Sequence, residues 1–356
     1  MSQVDYIVVG CGLASIAFCE QLLANDKSFV VFDDSSQQSS IVAAGLYNPV
    51  ILKRFSEVWK AKEQLKIAFP LYNKIEEELD ITIDYKLQLL RRFTSIEEQN
   101  LWFNASDKPS LEPFLSTTLI KNTNNAINAP FSLGEVLQAG RLDTKRLISS
   151  YKDFLRRINS LKETQFLYED LVIQVDSLQY SDIKAKQIIF AEGYGMKKNP
   201  FFKYLPLNGT KGEVLTIKAP ELNLGTAIKS SVFIIPIGND LYTVGSTYNW
   251  DDKSNIPTEE GKNELLSKLR GFITCDFEIV EHVAGVRPTV KDRRPLVGRH
   301  PEHQNLYVLN GLGTRGVMIA PYVADKLYGF IEKANPLDAE IDISRFTFSP
   351  EIYRSS

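Results

Sequence analysis

Cysteine is scarce in this 356-residue chain, and so are histidine, methionine and tryptophan, at three residues each. Cys11, Cys19 and Cys275 lack C-x-x-C spacing, so neither a disulfide framework nor a zinc knuckle is expected. His282, His300 and His303 form no H-E-x-x-H pattern, and no metal site is expected. No segment approaches the roughly 18 consecutive apolar residues that span a bilayer. The amino terminus has no positively charged region ahead of its apolar run, so it does not read as a secretory signal, and the cytoplasm is the expected location. An excess of one charge is missing too. The 41 basic and 44 acidic residues leave a net −3, which gives no global pull toward nucleic acid or an anionic membrane. What remains is an ordinary globular composition, 44% hydrophobic and 24% charged, on a chain long enough for about two domains.

The most informative stretch is the first. An apolar run, Tyr6 to Val9, leads into Gly10-Cys11-Gly12-Leu13-Ala14-Ser15; a helical segment follows, and a second apolar run, Phe29 to Phe32, ends on Asp33 and Asp34. Strand, tight turn, helix, strand and acid is the order a dinucleotide requires. Gly10 permits a sharp turn. Gly12 lets the backbone approach a pyrophosphate at the positive end of the helix dipole, and an acid past the second strand can accept hydrogen bonds from ribose. Ser15 stands where the pattern has its third glycine.

Further along, Ser39 to Pro49 is a loop of small residues containing Ala43-Ala44-Gly45. Helical spacing covers Ser56 to Leu79, with Pro70 expected to break or bend it and Glu76, Glu77 and Glu78 expected to be solvated. Residues 81–94 read as strands, 95–104 as helix and 105–134 as irregular. Leu142 to Leu161 is a second amphipathic helix. Gln165 to Tyr168 and Leu171 to Val175 are strand candidates, and Gln187 to Phe190 is a buried strand ending on Ala191-Glu192-Gly193. Short β segments follow at Glu213 to Lys218, Ser231 to Ile237 and Leu241 to Ser246, then a helix (Thr258 to Leu269) and a strand (Glu278 to Val286). The tail repeats the opening logic: a strand, Asn305 to Leu309; a glycine turn, Gly311 to Gly316; and a helix, Val317 to Ile331. Two such units far apart in one chain imply one large ligand held from two sides.

Taken in order, these pieces resemble the FAD-dependent amine oxidases of the D-amino-acid oxidase, glycine oxidase and sarcosine oxidase type. They also resemble the flavin domain of the bifunctional tRNA enzyme that trims 5-carboxymethylaminomethyl-uridine. The resemblance rests on Gly10 to Ser15 with Asp33, the small-residue loop, Ile188 to Gly193, Gly285-Val286-Arg287-Pro288, Pro295 to Gly298, and Gly311 to Gly316 with Ala320-Pro321. It implies an α/β fold: a Rossmann-like FAD-binding domain of glutathione-reductase type, from residues 1–80, 135–211 and 287–356, and a mainly antiparallel β substrate domain, from 81–134 and 212–286. The implied contacts of the adenosine half are Gly10, Gly12, Ser15 and Asp33, with an adenine contact near Val172; Leu13, Ala14, Asp34, Ser40, Ala191 and Gly193 are further implied cofactor contacts. Ala44, Gly45, Leu46, Gly311, Gly313, Thr314, Arg315, Gly316, Val317 and Met318 would lie along the isoalloxazine.

The same resemblance assigns the substrate carboxylate to Arg287, whose planar guanidinium suits bidentate binding; the alternative is a structural pair with Asp292. Phe233-Ile234-Ile235-Pro236 lacks the tyrosine that D-amino-acid oxidases use there, which leaves Tyr242 or Tyr248 as replacements or as core residues. Thr243 stands where sarcosine oxidases place a lysine, and Gly285 where they attach flavin through cysteine, so FAD is expected to be noncovalent. The implied reaction is hydride transfer from an amine or amino acid to flavin N5, with no dedicated general base; His282 is expected to be structural. Two other readings remain: tRNA modification, with Lys197-Lys198, Lys291 to Arg294 and Arg299 as a basic rim, and a flavoprotein without turnover. The oligomeric state is open.

Overall fold

The computed structural model describes residues 2–348, so residues 349–356 of the last stretch fall outside it. Two eight-stranded sheets organise the chain. In the first, the strand Ser2–Val9 lies between Phe29–Phe32 and Ile183–Phe190, all parallel, with Leu161–Lys162 beyond Phe29–Phe32. Phe29–Phe32 and the carboxyl halves of Ser2–Val9 and Ile183–Phe190 are apolar on both faces, as buried parallel strands are. Ile183–Phe190 forks: its first half pairs antiparallel with Leu178–Tyr180, and its second half pairs parallel with Leu306–Asn310. The fork puts three strand ends (Val9, Phe190 and Asn310) side by side, and each runs into a small-residue turn. Ligand crevices of parallel sheets open at such carboxyl ends. The helices Leu13–Leu23 and Gly316–Lys333, which leave the outer two turns, pack against each other.

The second sheet runs in the order Glu278–Arg287, Thr210–Lys218, Leu241–Gly245, Phe233–Gly238, Ala227–Lys229, Leu89–Arg92, Leu133–Val136, Leu115–Ile120. All its pairings are antiparallel except that of Ala227–Lys229 with Leu89–Arg92. A tight turn at Gly238-Asn239-Asp240, all with positive φ, joins two of its strands. One face packs on an apolar cluster with Leu215, Ile217, Ile234, Tyr242 and Leu265; the other faces the first sheet across a cleft.

Several local expectations need correction. Pro70 does not break its helix, which runs unbroken from Ala61 to Leu79. Pro70 is exposed, so water can satisfy the carbonyl one turn back. Glu76 is not merely solvated, because its Oε1 accepts from the backbone amides of Ile83 (2.6 Å) and Asp84 (2.8 Å) and so fixes the chain leaving that helix. Gln165 to Tyr168 forms no strand; a 3-10 turn occupies Tyr168–Asp170. The region 105–134 contains the edge strand Leu115–Ile120, and a short helix, Ser39–Val42, interrupts the small-residue loop. Both carry polar sequences whose structure comes from their neighbours rather than from periodicity.

Candidate functional site

A cavity of about 1620 Å3 lies between the sheets. That is larger than the roughly 300–1,000 Å3 of most ligand pockets and has room for a dinucleotide with a second molecule beside it. Both glycine turns, the small-residue loop and the carboxyl end of Ile183–Phe190 line it.

At the first turn Gly10 has φ +98°, and a Cβ there would stand 2.6 Å from the Ala191 carbonyl oxygen. The crossing of two strand ends therefore requires glycine. Asp33 Oδ1 accepts from the Cys11 amide at 3.0 Å, and Lys152 Nζ lies 2.5 Å from Asp33 Oδ2, so the acid braces the turn. Asp34 accepts from the Ser36 amide, which holds its carboxyl below the usual range against the opposing effect of burial. Burial, aided by Asp33, pushes the Cys11 thiol up to about 12, so it stays a protonated packing group.

The helix starts are the most telling feature. The helices Ile96–Ser106, Thr144–Arg157 and Glu259–Arg270 are capped by the side chains of Ser95, Asp143 and Thr258. Leu13–Leu23, Ala61–Leu79 and Gly316–Lys333 have no side-chain cap, and of these Leu13–Leu23 and Gly316–Lys333 begin at the cavity. They begin side by side: a Cβ on Gly316 would come 3.2 Å from the Leu13 side chain. Apart from a 3.5 Å bond from the Leu13 amide to Ser40 Oγ and one from the Met318 amide to the Arg315 carbonyl, these first-turn N–H donors face the cavity, and with two positive dipole ends they suit a phosphate-bearing and electron-accepting ligand. The residues present thus fit a flavin dinucleotide.

On the opposite wall, alternation puts Thr210, Gly212 and Val214 on the same side of the sheet as Gly285 and Arg287. The Arg287 guanidinium lies flat over Gly212, where a Cβ would fall 1.9 Å from it. Arg287 Nη1 donates to the Thr247 carbonyl at 3.2 Å, and the guanidinium carbon sits 4.8 Å from the Tyr248 ring centroid. Among the described residues no carboxylate pairs with Arg287. The alternative partner, Asp292, is taken by Arg345 at 3.1 Å. Burial pulls the Arg287 pKa down, opposed by Tyr248. Arg315 is half-buried; its Nη1 donates to the Asn48 carbonyl at 3.2 Å, and its pKa falls to about 10 through desolvation, with Tyr248 opposing and Arg293 reinforcing.

Three residues chosen from the sequence lie off the cavity. Tyr242 is buried on the far side of the sheet, where its hydroxyl accepts from the Leu224 amide at 3.1 Å; strand alternation carries it away from Arg287. Val172 is 52% exposed on an edge strand, and Thr164, Gln165, Phe166 and Tyr168 line the cavity at that end instead. Ser15 is buried inside its helix packing, not at the cavity wall. The other chosen residues all line the cavity. His282 faces away from it, with Nε2 2.8 Å from Glu213 Oε2. Sequence reasoning overlooked Lys229 and Arg91, which line the cavity wall, and the buried Glu192. Glu192 was visible only as the middle residue of Ala191-Glu192-Gly193; it accepts from Asn199 Nδ2 at 2.7 Å and from the Tyr168 hydroxyl, and burial raises it to about 7.

Comparison with known proteins agrees with this geometry. The family described as FAD dependent oxidoreductase (DAO) matches residues 5–328, and the chain belongs to it. It is an FAD-dependent oxidoreductase of mixed α/β fold. It is 29% identical to glycine oxidase of Bacillus subtilis (strain 168) over 147 residues, 39% of each chain. It is 28% identical to the tRNA 5-methylaminomethyl-2-thiouridine biosynthesis bifunctional protein of Shewanella halifaxensis over 181 residues, 40% of this chain and 28% of that one. The match thus spans well under half the length of either relative. The solved glycine oxidase of Geobacillus kaustophilus superposes with a TM-score of 0.75 at 19% identity, covering 98% of this chain and 99% of that one. The L-proline dehydrogenase of P. horikoshii gives 0.76 at 15% identity, covering 94% and 95%. No helix among the described residues is long and apolar enough to cross a membrane.

Proposed function

We propose that this chain oxidises the C–N bond of an amino acid or secondary amine that bears a carboxylate. The observation that carries the reading is Arg287: a half-buried guanidinium on the cavity wall, laid over a glycine and, among the described residues, paired with no acid. An unpaired, partly desolvated cation is costly, and an incoming carboxylate offsets that cost. Arg287 grips the substrate carboxylate in two hydrogen bonds, and the Tyr248 ring holds the guanidinium plane. Bound noncovalently, FAD supplies the hydride acceptor. The substrate amine must arrive neutral, and its oxidation yields an imine that water hydrolyses. Positioning does the work, so no side chain is assigned as general base.

Anaerobic bleaching of the bound flavin by a panel of D-amino acids, glycine, sarcosine, proline and N-alkyl glycines tests the reading; no bleaching by any carboxylated amine would overturn it. Arg287→Ala should weaken benzoate binding by about 10- to 100-fold, the worth of hydrogen bonds to a charged group, and leave FAD content unchanged. Equal loss of both would move the substrate site elsewhere. The similarity to the bifunctional tRNA protein supports a second reading, in which the carboxylated amine is carried on a tRNA uridine. No mobility shift with tRNA at low salt would remove it.

A further inference from the structure

We infer that the cavity wall contains a second anion site at Lys229, which binds a distal acidic group on the same amine substrate. The inference rests on the reading of Arg287 above. The sheet register builds the site. Val214 pairs with Gly245, Gly245 with Phe233, Phe233 with Lys229, and Lys229 with Arg91, so this row of side chains emerges on the face that carries Gly212 and Arg287. Val214, Phe233, Lys229 and Arg91 all line the cavity. The middle of the row is kept low by Gly245, where a Cβ would stand 2.9 Å from the Phe233 ring. The wall is thus an aromatic floor with a cation at either end.

Lys229 has no acid of its own. Its neighbours do: Arg91 Nε donates to Glu98 Oε1 at 2.8 Å, and Lys268 pairs with Glu264. Among the described residues no hydrogen bond or ion pair reaches Lys229 Nζ, which leans over the Phe233 ring at 5.9 Å from its centroid. That direction is toward Arg287. Burial, and then the charges of Arg91 and Lys268, bring its ammonium down to about 8, because both disfavour its charged form. From Gly212, beneath the Arg287 guanidinium, to Lys229 is three strand spacings across the sheet and two residues along it, roughly 16 Å between backbones, and the reach of the Lys229 side chain over Phe233 shortens the gap between the cations to on the order of 10 Å. A short dicarboxylate, or a carboxylate with a terminal phosphate or phosphonate, spans such a gap. A glycine-sized substrate does not.

The test uses the holoenzyme and reads dissociation constants from perturbation of the flavin spectrum. Butyrate is compared with glutarate, pimelate and 3-phosphonopropionate, so that carboxylate and phosphonate ends are distinguished. Wild type should bind the best two-headed acid about 10- to 100-fold more tightly than butyrate, the range for one charge-assisted hydrogen-bonded contact. Lys229→Met should abolish that preference by weakening the two-headed acids, and Lys229→Arg should retain it. Equal binding of one- and two-headed acids by wild type, or a preference that survives Lys229→Met, overturns the proposal. If Arg287→Ala alters neither ligand class, the assignment of Arg287 falls instead; if it weakens both classes while Lys229→Met weakens neither, only the second anion site falls.

Discussion

The two glycine turns look alike in the sequence and differ in what holds them. Gly10 is squeezed between strand ends: its φ is +98°, and the nearest atom to an added Cβ would be a backbone carbonyl, which cannot move aside. Gly313 has a similar sign of φ, +58°, but open surroundings, with nothing nearer than the Thr289 side chain at 3.8 Å. Gly311 falls between these, with Val290 at 2.8 Å. The first turn is set by the crossing of the sheet itself. The second is set by the segment that follows Arg287, and it carries a half-buried arginine of its own, Arg315. One turn is fixed by backbone on both sides, whereas the other is coupled to the wall that carries Arg287.

Breaking the first turn should have the largest effect. Gly10→Ala combines positive-φ strain with a backbone clash, so it should cost on the order of 3 kcal/mol or more and leave protein without flavin after gel filtration. Protein that stayed yellow and melted normally would show that the crossing is looser than its geometry.

The next effect is a pH dependence beside that turn. Glu192 is raised from 4.5 to about 7 by burial, partly offset by its bonds from Asn199 and Tyr168. The folded state therefore binds the proton more tightly, so this stability is complete below about pH 4.5 and is lost as pH rises through about 7. Across that window the loss approaches about 3 kcal/mol. Glu192→Gln should flatten this part of the stability–pH curve, as measured by urea unfolding; an unchanged slope would place the titration elsewhere.

A variant that spares both turns sharpens the contrast. Gly212→Ala should unseat the Arg287 guanidinium, which is the movable end of a long side chain. The fold should survive, with benzoate bound about 10-fold more weakly and FAD content unchanged. The smallest effect belongs to Gly313→Ala, which meets no close atom and should cost only about 1 kcal/mol, a fall of a few degrees in melting temperature. If Gly313→Ala were as damaging as Gly10→Ala, the two turns would be equivalent after all.

The helices and buried strands were legible because their periodicity and end signals agree. Asp143 and Thr258 cap the helices read from Leu142 and Thr258, and Ile183–Phe190 is apolar throughout its buried half. The strand Leu115–Ile120 was not legible, since an exposed edge of Ser and Thr residues has no pattern beyond that of a loop. Tyr242 and Tyr248 show the limit for the site. Both are tyrosines near the right strand, and the point where Leu241–Gly245 ends separates them: alternation within the strand turns Tyr242 into the core, and Tyr248 lies beyond the strand end, beside Arg287.

Chain order alone was enough to identify a dinucleotide-type turn and its distant counterpart, because each depends on local backbone geometry that nearby residues dictate; Arg287 stood out only through the family resemblance of its G-x-R-P segment. Which cations lack partners was not available from order along the chain. Arg345 claims Asp292 and Glu98 claims Arg91, and through these pairings Arg287 and Lys229 face the cavity with no acid partner among the described residues. Pairing between residues far apart in the chain is settled only when the sheets pack, because charge compensation depends on distance in space.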